Sequence, residues 1–99
     1  MAFILAPEAE ARLDGIWCYI AGESGNPDIA ERFIHSLTER FYLLALTPYM
    51  GRRRHDDLRP GVRSFPVGEY VIFHCIEEED VHILHVVRGS RNIQTLFGS

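Results

Sequence analysis

Apolar side chains recur at helical spacing along two stretches in the first half of the chain. The first stretch begins at Pro7 and carries the apolar positions Ala9, Leu13, Ile16, Trp17 and Ile20. The second stretch carries the apolar positions Ala30, Phe33, Ile34, Leu37, Phe41 and Leu44. Each set forms one face of an amphipathic helix. The pattern therefore predicts two helices, separated by the segment 22–25.

Start and stop signals set the limits of these helices. Asn26-Pro27-Asp28 supplies an N-cap side chain followed by a proline at the first helical position, and Thr47-Pro48 ends the second helix. Because the connection between the helices is only a few residues long, we expect an antiparallel helical hairpin. The short apolar run at 3–5 predicts a strand before it.

Three further segments predict β-strands in the second half of the chain. They cover residues 62–65, 70–76 and 81–88 and are separated by a proline-glycine turn at 66–69 and four acids at 77–80. Strands joined by such short turns form an antiparallel meander. The predicted fold is α+β, in the order β-α-α-β-β-β. An N-terminal strand and an antiparallel helical hairpin pack on a small antiparallel β-sheet.

Both faces of this predicted meander are apolar. Pairing Ile76 with Val81 places Phe73 across from Leu84 and Ile72 across from His85. One face then carries Val71, Phe73, Cys75, Leu84 and Val86. The other, mixed face carries Arg63, Tyr70, Ile72, His74, Ile76, Val81, Ile83, His85 and Val87. One helical hairpin covers one face only, so we expect a protein partner on the mixed face. A homodimer or a partly hydrated sheet are the alternatives.

Length and composition describe a single globular domain over residues 1–99. The chain is 46% apolar and 24% charged, as in ordinary soluble proteins. No apolar run approaches the roughly 18 residues that span a membrane, and the first residues lack the basic region of a signal peptide. We therefore expect a cytoplasmic protein without membrane contact. In that compartment Cys18 and Cys75 are expected to be small buried residues without a disulfide.

Positive charge is concentrated although the net charge is −4. The net charge argues against general, direct nucleic-acid binding. Residues 52–63 nevertheless hold five of the ten arginines together with two aspartates, and the chain contains no lysine. Arginine favours planar, bidentate contacts to carboxylates and phosphates. The alternative is a solvated loop whose arginines pair with Asp56 and Asp57 and contribute little.

Several motifs in this order resemble the RelE/ParE superfamily of toxins from type II toxin–antitoxin modules. They are Leu13-Asp14-x-Ile16-Trp17-x-Tyr19-Ile20, Pro48-x-Met50-Gly51-Arg52, the string 57–73 and Val86-Val87-Arg88-Gly89-Ser90-Arg91. The chain is most similar to the ParE branch, also called plasmid stabilisation proteins. The resemblance implies a toxin that inhibits DNA gyrase by binding and is neutralised by a cognate, ParD-like antitoxin. The partner-binding residues are then expected to be Arg52, Arg59, Arg63, Tyr70, Ile72, His85, Arg88, Arg91 and Phe97.

The resemblance leaves two other functions open. RelE-like relatives cleave messenger RNA on the ribosome, and Arg91 matches their phosphate-binding arginine. Many of them carry a tyrosine where this chain has Phe97, which has no proton to transfer, and arginine is a poor base. We therefore expect a binding toxin with no catalytic residue, cofactor or metal. A toxin that has lost activity and acts only as an antitoxin-binding corepressor is the third possibility.

Overall fold

The computed structural model describes residues 2–53 and 60–89. Over these residues the chain forms two helices and five strands. The helices are α1 (Pro7–Ser24) and α2 (Pro27–Leu46). The strands are β1 (Phe3–Leu5), β2 (Arg52–Arg53), β3 (Arg63–Val67), β4 (Tyr70–Glu77) and β5 (Asp80–Arg88). The α+β class and the β-α-α-β-β-β order are confirmed, with the very short β2 as an addition that the sequence pattern did not predict.

Both helices begin at prolines, as their start signals predict. The Asn26 side chain accepts a hydrogen bond of 2.9 Å from the Asp28 backbone N–H and so caps α2. Gly25, at φ 66°, ends α1 in the left-handed conformation that glycine adopts without a steric penalty. The two helices therefore run antiparallel across a two-residue connection and present their apolar stripes together.

The sheet has the strand order β1-β5-β4-β3-β2. β5, β4, β3 and β2 pair antiparallel, whereas β1 pairs parallel with β5. The predicted antiparallel meander is confirmed, and β1 joins it in parallel with β5, so the five-stranded sheet as a whole is mixed. β1 and β5 are not joined by a tight turn: the helical hairpin and strands β2, β3 and β4 lie between them in the chain. Such a long connection allows the two strands to run in the same direction.

A bulge in β5 changes which residues share a face. Ile76 pairs with Val81 as predicted, but Phe73 lies opposite His85, and Ile72 lies opposite Val86. The register shifts between Phe73 and His74, so one extra residue is accommodated in β5. The predicted pairing beyond this point is wrong by one residue, because a strict two-residue alternation cannot anticipate a bulge.

The helical hairpin of α1 and α2 covers the mixed face of the meander, for which the sequence pattern predicted a protein partner. Residues of both layers form the main core: Ala9, Ile16, Leu37, Phe41, Leu44, Val67, Tyr70, Ile72, Val81, Ile83 and Val86. Because Tyr70, Ile72 and Ile83 lie in this core, the expectation that their face awaits a partner is wrong. A second cluster of Val62, Phe73 and Val87, with Val71 and Leu84, forms apart from the main core.

Candidate functional site

A groove lies between α1 and the end of the β4–β5 hairpin that is opposite its turn, where β4 begins and β5 ends. It has a volume of about 330 Å³ and is lined by Arg12, Gly15, Ile16, Tyr19, Tyr70, Val87 and Arg88. We call it the Arg88 groove. Arg12, Gly15 and Tyr19 are spaced by three and four residues and so share one side of α1. The groove thus combines two guanidinium groups with an apolar and aromatic lining.

Arg88 is held in place by two side chains. One guanidinium nitrogen lies 2.9 Å from the Glu69 carboxylate, and the other donates a hydrogen bond of 3.4 Å to the Tyr19 hydroxyl. The guanidinium carbon also lies 5.6 Å from the centre of the Tyr19 ring, a cation–π distance. The hydrogen bond to Tyr19 and then the Glu69 charge raise the pKa of Arg88. Arg88 is therefore positively charged and oriented.

Tyr70 contributes the buried wall of the groove. It is 8% exposed and its ring centre lies 5.4 Å from that of Phe33 in α2. Burial raises the pKa of Tyr70, and the Arg88 charge opposes that shift. The phenol therefore stays neutral at physiological pH. It offers the groove a mainly apolar surface.

A second concavity lies around Arg63, at the other end of the meander. It has a volume of about 390 Å³ and is lined by Pro48, Tyr49, Arg53, Gly61, Val62, Arg63, Cys75 and Ile76. We call it the Arg63 cavity. Arg63 donates a hydrogen bond of 3.1 Å to the Gly51 carbonyl, and its guanidinium carbon lies 5.5 Å from the Tyr49 ring centre. The cavity therefore places two arginines beside an aromatic ring.

His74 lies next to this cavity but inside the protein. It is fully buried, lies opposite Arg63 in the β3–β4 pairing, and among the described residues neither ring nitrogen has a hydrogen-bond partner. The backbone of Pro48 and Met50 lies near enough to favour the charged ring, yet burial prevails and lowers the pKa of His74. The imidazole is therefore neutral at pH 7 and cannot reach a substrate.

The structure separates the predicted partner-binding residues into several groups. Arg63 and Arg88 belong to the two concavities, and Arg52 is exposed on β2. Ile72 is 0% exposed in the main core, so its assignment to an accessible surface is wrong. Tyr70 is 8% exposed and lines the Arg88 groove. His85 is half-buried and faces Phe73 across the hairpin. Arg59, Arg91 and Phe97 lie outside the described residues.

Sequence reasoning missed the two tyrosines that stack against arginines. Tyr19 and Tyr49 are 49% and 71% exposed, which is unusual for large aromatic side chains. Tyr19 lies off the apolar stripe of α1, and this displacement is the signal that could have identified it. Tyr49 follows the end of α2, where no periodicity indicates the direction of a side chain.

Three further features concern the cysteines, metal ligands and the membrane. Cys75 is buried as expected, whereas Cys18 is exposed, so the expectation that it is buried is wrong. Cys75 and His82 lie opposite each other in β4 and β5, and His82 Nδ1 lies 3.8 Å from the Glu77 carboxylate. Across residues 2–53 and 60–89, no three His, Cys, Asp or Glu side chains converge as metal ligands. In the same residues, neither helix has the length and apolar character needed to cross a bilayer.

The fold, a helical hairpin packed on a mixed β-sheet, is also found in a solved structure. It superposes on a structure described as the chromosomal ParDE TA system from P. aeruginosa with a TM-score of 0.77. That match has 22% identity and covers 89% of this chain and 95% of the other. At this identity the likeness concerns the fold alone.

Sequence comparison defines the family. The family model described as ParE toxin of type II toxin-antitoxin system, parDE, matches residues 3–93. The chain is 32% identical over 76 residues to Toxin ParE3 of Caulobacter vibrioides, covering 77% of this chain and 75% of that protein. It is 31% identical over 87 residues to Toxin ParE1 of Mycobacterium tuberculosis, covering 84% and 87%. The chain therefore belongs to the ParE toxin family, which confirms the resemblance found in its motifs.

Proposed function

We propose that this ParE-family toxin acts by binding DNA gyrase in the cytoplasm, and that a cognate antitoxin neutralises it by occupying the Arg88 groove. The observation that carries the antitoxin site is the exposed ring of Tyr19 above an apolar floor at Ile16 and Val87, flanked by Arg12 and Arg88. Apolar contacts supply the binding energy of such a groove, and the guanidinium groups select acidic side chains. An acidic, amphipathic segment of the antitoxin fits both features.

Docking of the antitoxin would exchange one carboxylate partner of Arg88, that of Glu69, for another. Glu69 is 78% exposed at its side chain, and Arg88 is 43% exposed. Such a pair is hydrated and adds little to the stability of the fold. A carboxylate of the antitoxin replaces Glu69 on Arg88 without leaving a buried charge behind. Arg88 thereby serves as an oriented anchor.

Site-directed variants test the groove. Arg88→Gln is expected to weaken antitoxin binding about tenfold, as loss of a central interface arginine does. Arg32→Gln is the matched control, because Arg32 is an exposed arginine on α2 whose side chain donates to the Asp28 carbonyl one turn away, outside the Arg88 groove. Glu69→Gln should leave affinity unchanged or increase it. Titration calorimetry with the antitoxin measures all three, and equal affinities for wild type and Arg88→Gln would place the antitoxin elsewhere.

Gyrase inhibition is tested with purified components. The toxin is expected to inhibit supercoiling of relaxed plasmid by gyrase, and prior addition of the antitoxin should restore it. Expression of the toxin alone should arrest growth and induce the SOS response. Full supercoiling activity at saturating toxin would contradict the proposed target. Normal growth would instead favour the corepressor.

One observation supports a ribosome-dependent ribonuclease as the second candidate. The Arg63 cavity carries Arg53 and Arg63 beside the exposed ring of Tyr49, a combination suited to a phosphodiester and a stacked base. The binding toxin is preferred because arginine is a poor general base and His74 is sealed in the interior. Mapping of message ends after toxin expression separates the two. Codon-biased cleavage that Arg63→Gln abolishes would favour the ribonuclease.

A further inference from the structure

An apolar surface lies on the side of the molecule formed by β1 and the C-terminal half of α2. Tyr42 and Leu46 of α2 are 62% and 79% exposed there. Ile4 is 44% exposed, and because Phe3 and Leu5 pack on the helix side, its side chain lies on the opposite face of β1. Between the two elements lies a concavity of about 400 Å³ lined by Ala2, Phe3, Tyr42, Ala45 and Leu46. None of these lining residues is charged. The surface is thus distinct from both arginine-lined concavities.

The same surface contains an open edge of the sheet. β1 is the first strand in the order β1-β5-β4-β3-β2, and within residues 2–53 and 60–89 it pairs only with β5. The Ala2 carbonyl accepts from Val81, and the Ala6 N–H donates to Ile83. By strand alternation Ile4 also directs its backbone groups towards β5, so Phe3 and Leu5 direct theirs away from the sheet. Two N–H and two C=O groups are therefore presented for pairing at this edge.

We propose that β1 and the adjacent face of α2 form a homodimer interface, in which two copies pair their β1 strands antiparallel about a two-fold axis at Ile4. In this arrangement Phe3 of one copy and Leu5 of the other exchange both backbone hydrogen bonds. Ile4 lies opposite its own symmetry mate as a non-hydrogen-bonded pair, the closest kind of pair in an antiparallel ladder. The two sheets join into one of ten strands.

Self-complementarity favours a second copy over another occupant. A two-fold axis at Ile4 brings two outward-facing residues of each edge into register without any shift, as an isologous contact requires. It also places two identical apolar surfaces together, with Tyr42 and Leu46 of each copy flanking the seam. An acidic partner would find no cation among the residues that line this concavity, whereas the Arg88 groove offers two.

Analytical ultracentrifugation over a concentration series tests the dimer. The wild-type chain is expected to shift from monomer to dimer as its concentration rises. Leu46→Glu introduces a charge at a side chain that is 79% exposed, so it spares the fold and should raise the dimer dissociation constant at least about tenfold. Ile29→Glu is the matched control: Ile29 is 41% exposed on the same helix, about 25 Å away along its axis. It should leave the constant within about twofold.

A cross-link tests the position of the axis. In a non-hydrogen-bonded pair the Cα atoms lie about 4.5 Å apart, within the range that a disulfide bridges. Ile4→Cys, in a background in which the exposed Cys18 is serine, should therefore give a disulfide-linked dimer on mild oxidation. Ile29→Cys in the same background should not. Adding Leu46→Glu to the Ile4→Cys chain should suppress the cross-link.

Each result decides for or against the interface. A chain that stays monomeric at every concentration overturns the proposal, as does a dimer that neither cross-links through Ile4→Cys nor responds to Leu46→Glu. If the antitoxin rather than a second copy pairs with β1, the toxin alone is monomeric and Leu46→Glu weakens antitoxin binding instead. The homodimer does not depend on the proposed function, since the ultracentrifugation and the cross-linking use the toxin alone.

Discussion

At the scale of single residues, the buried imidazole of His74 couples stability to pH. Burial lowers its pKa from the ordinary value of 6.5, so the unfolded chain binds a proton more readily than the folded one. The free energy of unfolding therefore falls as the pH drops below about 6.5, and the loss ends once the lower folded-state pKa is passed. The nearby Arg63 charge lowers the pKa further.

Replacing this histidine should remove its share of the acid sensitivity. His74→Leu keeps the volume roughly constant and removes a buried polar ring whose nitrogens have no hydrogen-bond partner among the described residues. We expect the variant to be at least as stable as wild type at pH 7 and to lose less stability between pH 7 and pH 5. Urea unfolding at several pH values measures this. His35→Gln, at an exposed position on α2, is the control; equal acid sensitivity in all three proteins would contradict the prediction.

Two glycines with positive φ separate backbone strain from crowding. Gly51 has φ 95° and Gly61 has φ 87°. A Cβ at Gly51 would lie 2.6 Å from the Ser64 carbonyl oxygen, whereas one at Gly61 would meet none of the described residues within 4 Å. Gly61→Ala should cost about 1 kcal/mol, from φ alone. Gly51→Ala should cost about 2 kcal/mol more, because β2 must shift from β3. Urea denaturation of both variants measures the difference, and equal losses would show that the contact is relieved without cost.

At the scale of elements, the turn between β4 and β5 holds two glutamates in a strained backbone conformation that other residues adopt at lower cost. Its two loop residues, Glu78 and Glu79, have φ 50° and 70°, the arrangement of a type I′ turn that prefers Asn-Gly. Glu78→Asn combined with Glu79→Gly should therefore raise the free energy of unfolding by about 1 kcal/mol. The double change to Gln removes the same charges while keeping the strained backbone. If the Gln pair stabilises the protein equally in urea unfolding, charge repulsion rather than φ is the cause.

The elements also differ in how far the sequence could predict them. The two helices were predictable because Pro7, Asn26 and Thr47 mark their ends and the apolar period of each is continuous. The β5 strand was predictable in extent but not in pairing, since its bulge depends on how two elements pack. Val86 consequently faces the helices although strict alternation places it on the other side of the sheet. The prediction of an open, partner-binding face was wrong because both faces of the meander are apolar, and an apolar pattern alone does not indicate which face the helices cover.

Residues of the candidate site were predictable only where the sequence indicated both a suitable side chain and the strand that positions it. Arg63 and Arg88 were identified because a strand restricts the direction of a long cationic side chain. Tyr19 and Tyr49 were missed because their importance comes from stacking on those arginines, which requires the tertiary structure. β2 was missed as well, since two arginines carry no strand periodicity.

At the scale of the whole molecule, the sheet has an apolar cluster on each side. Phe41, 1% exposed, belongs to the main core beneath the helices, and Phe73, 0% exposed, belongs to the second cluster with Val62 and Val87. The second cluster is therefore part of the folded interior. Each Å² of apolar surface buried in the second cluster should stabilise the fold as much as one buried in the main core, because the hydrophobic effect scales with buried area.

Truncation of the two phenylalanines compares the clusters directly. Phe41→Ala and Phe73→Ala should each lower the free energy of unfolding by about 3–5 kcal/mol. For a domain with a total stability of about 5–15 kcal/mol, either loss is a large fraction. Phe73→Leu, which keeps most of the apolar volume, should lose much less. Urea unfolding of the three variants measures these effects. A loss below about 1 kcal/mol for Phe73→Ala would mean that this face of the sheet is open in solution. It would then have to be counted, after all, among the surfaces available to a partner.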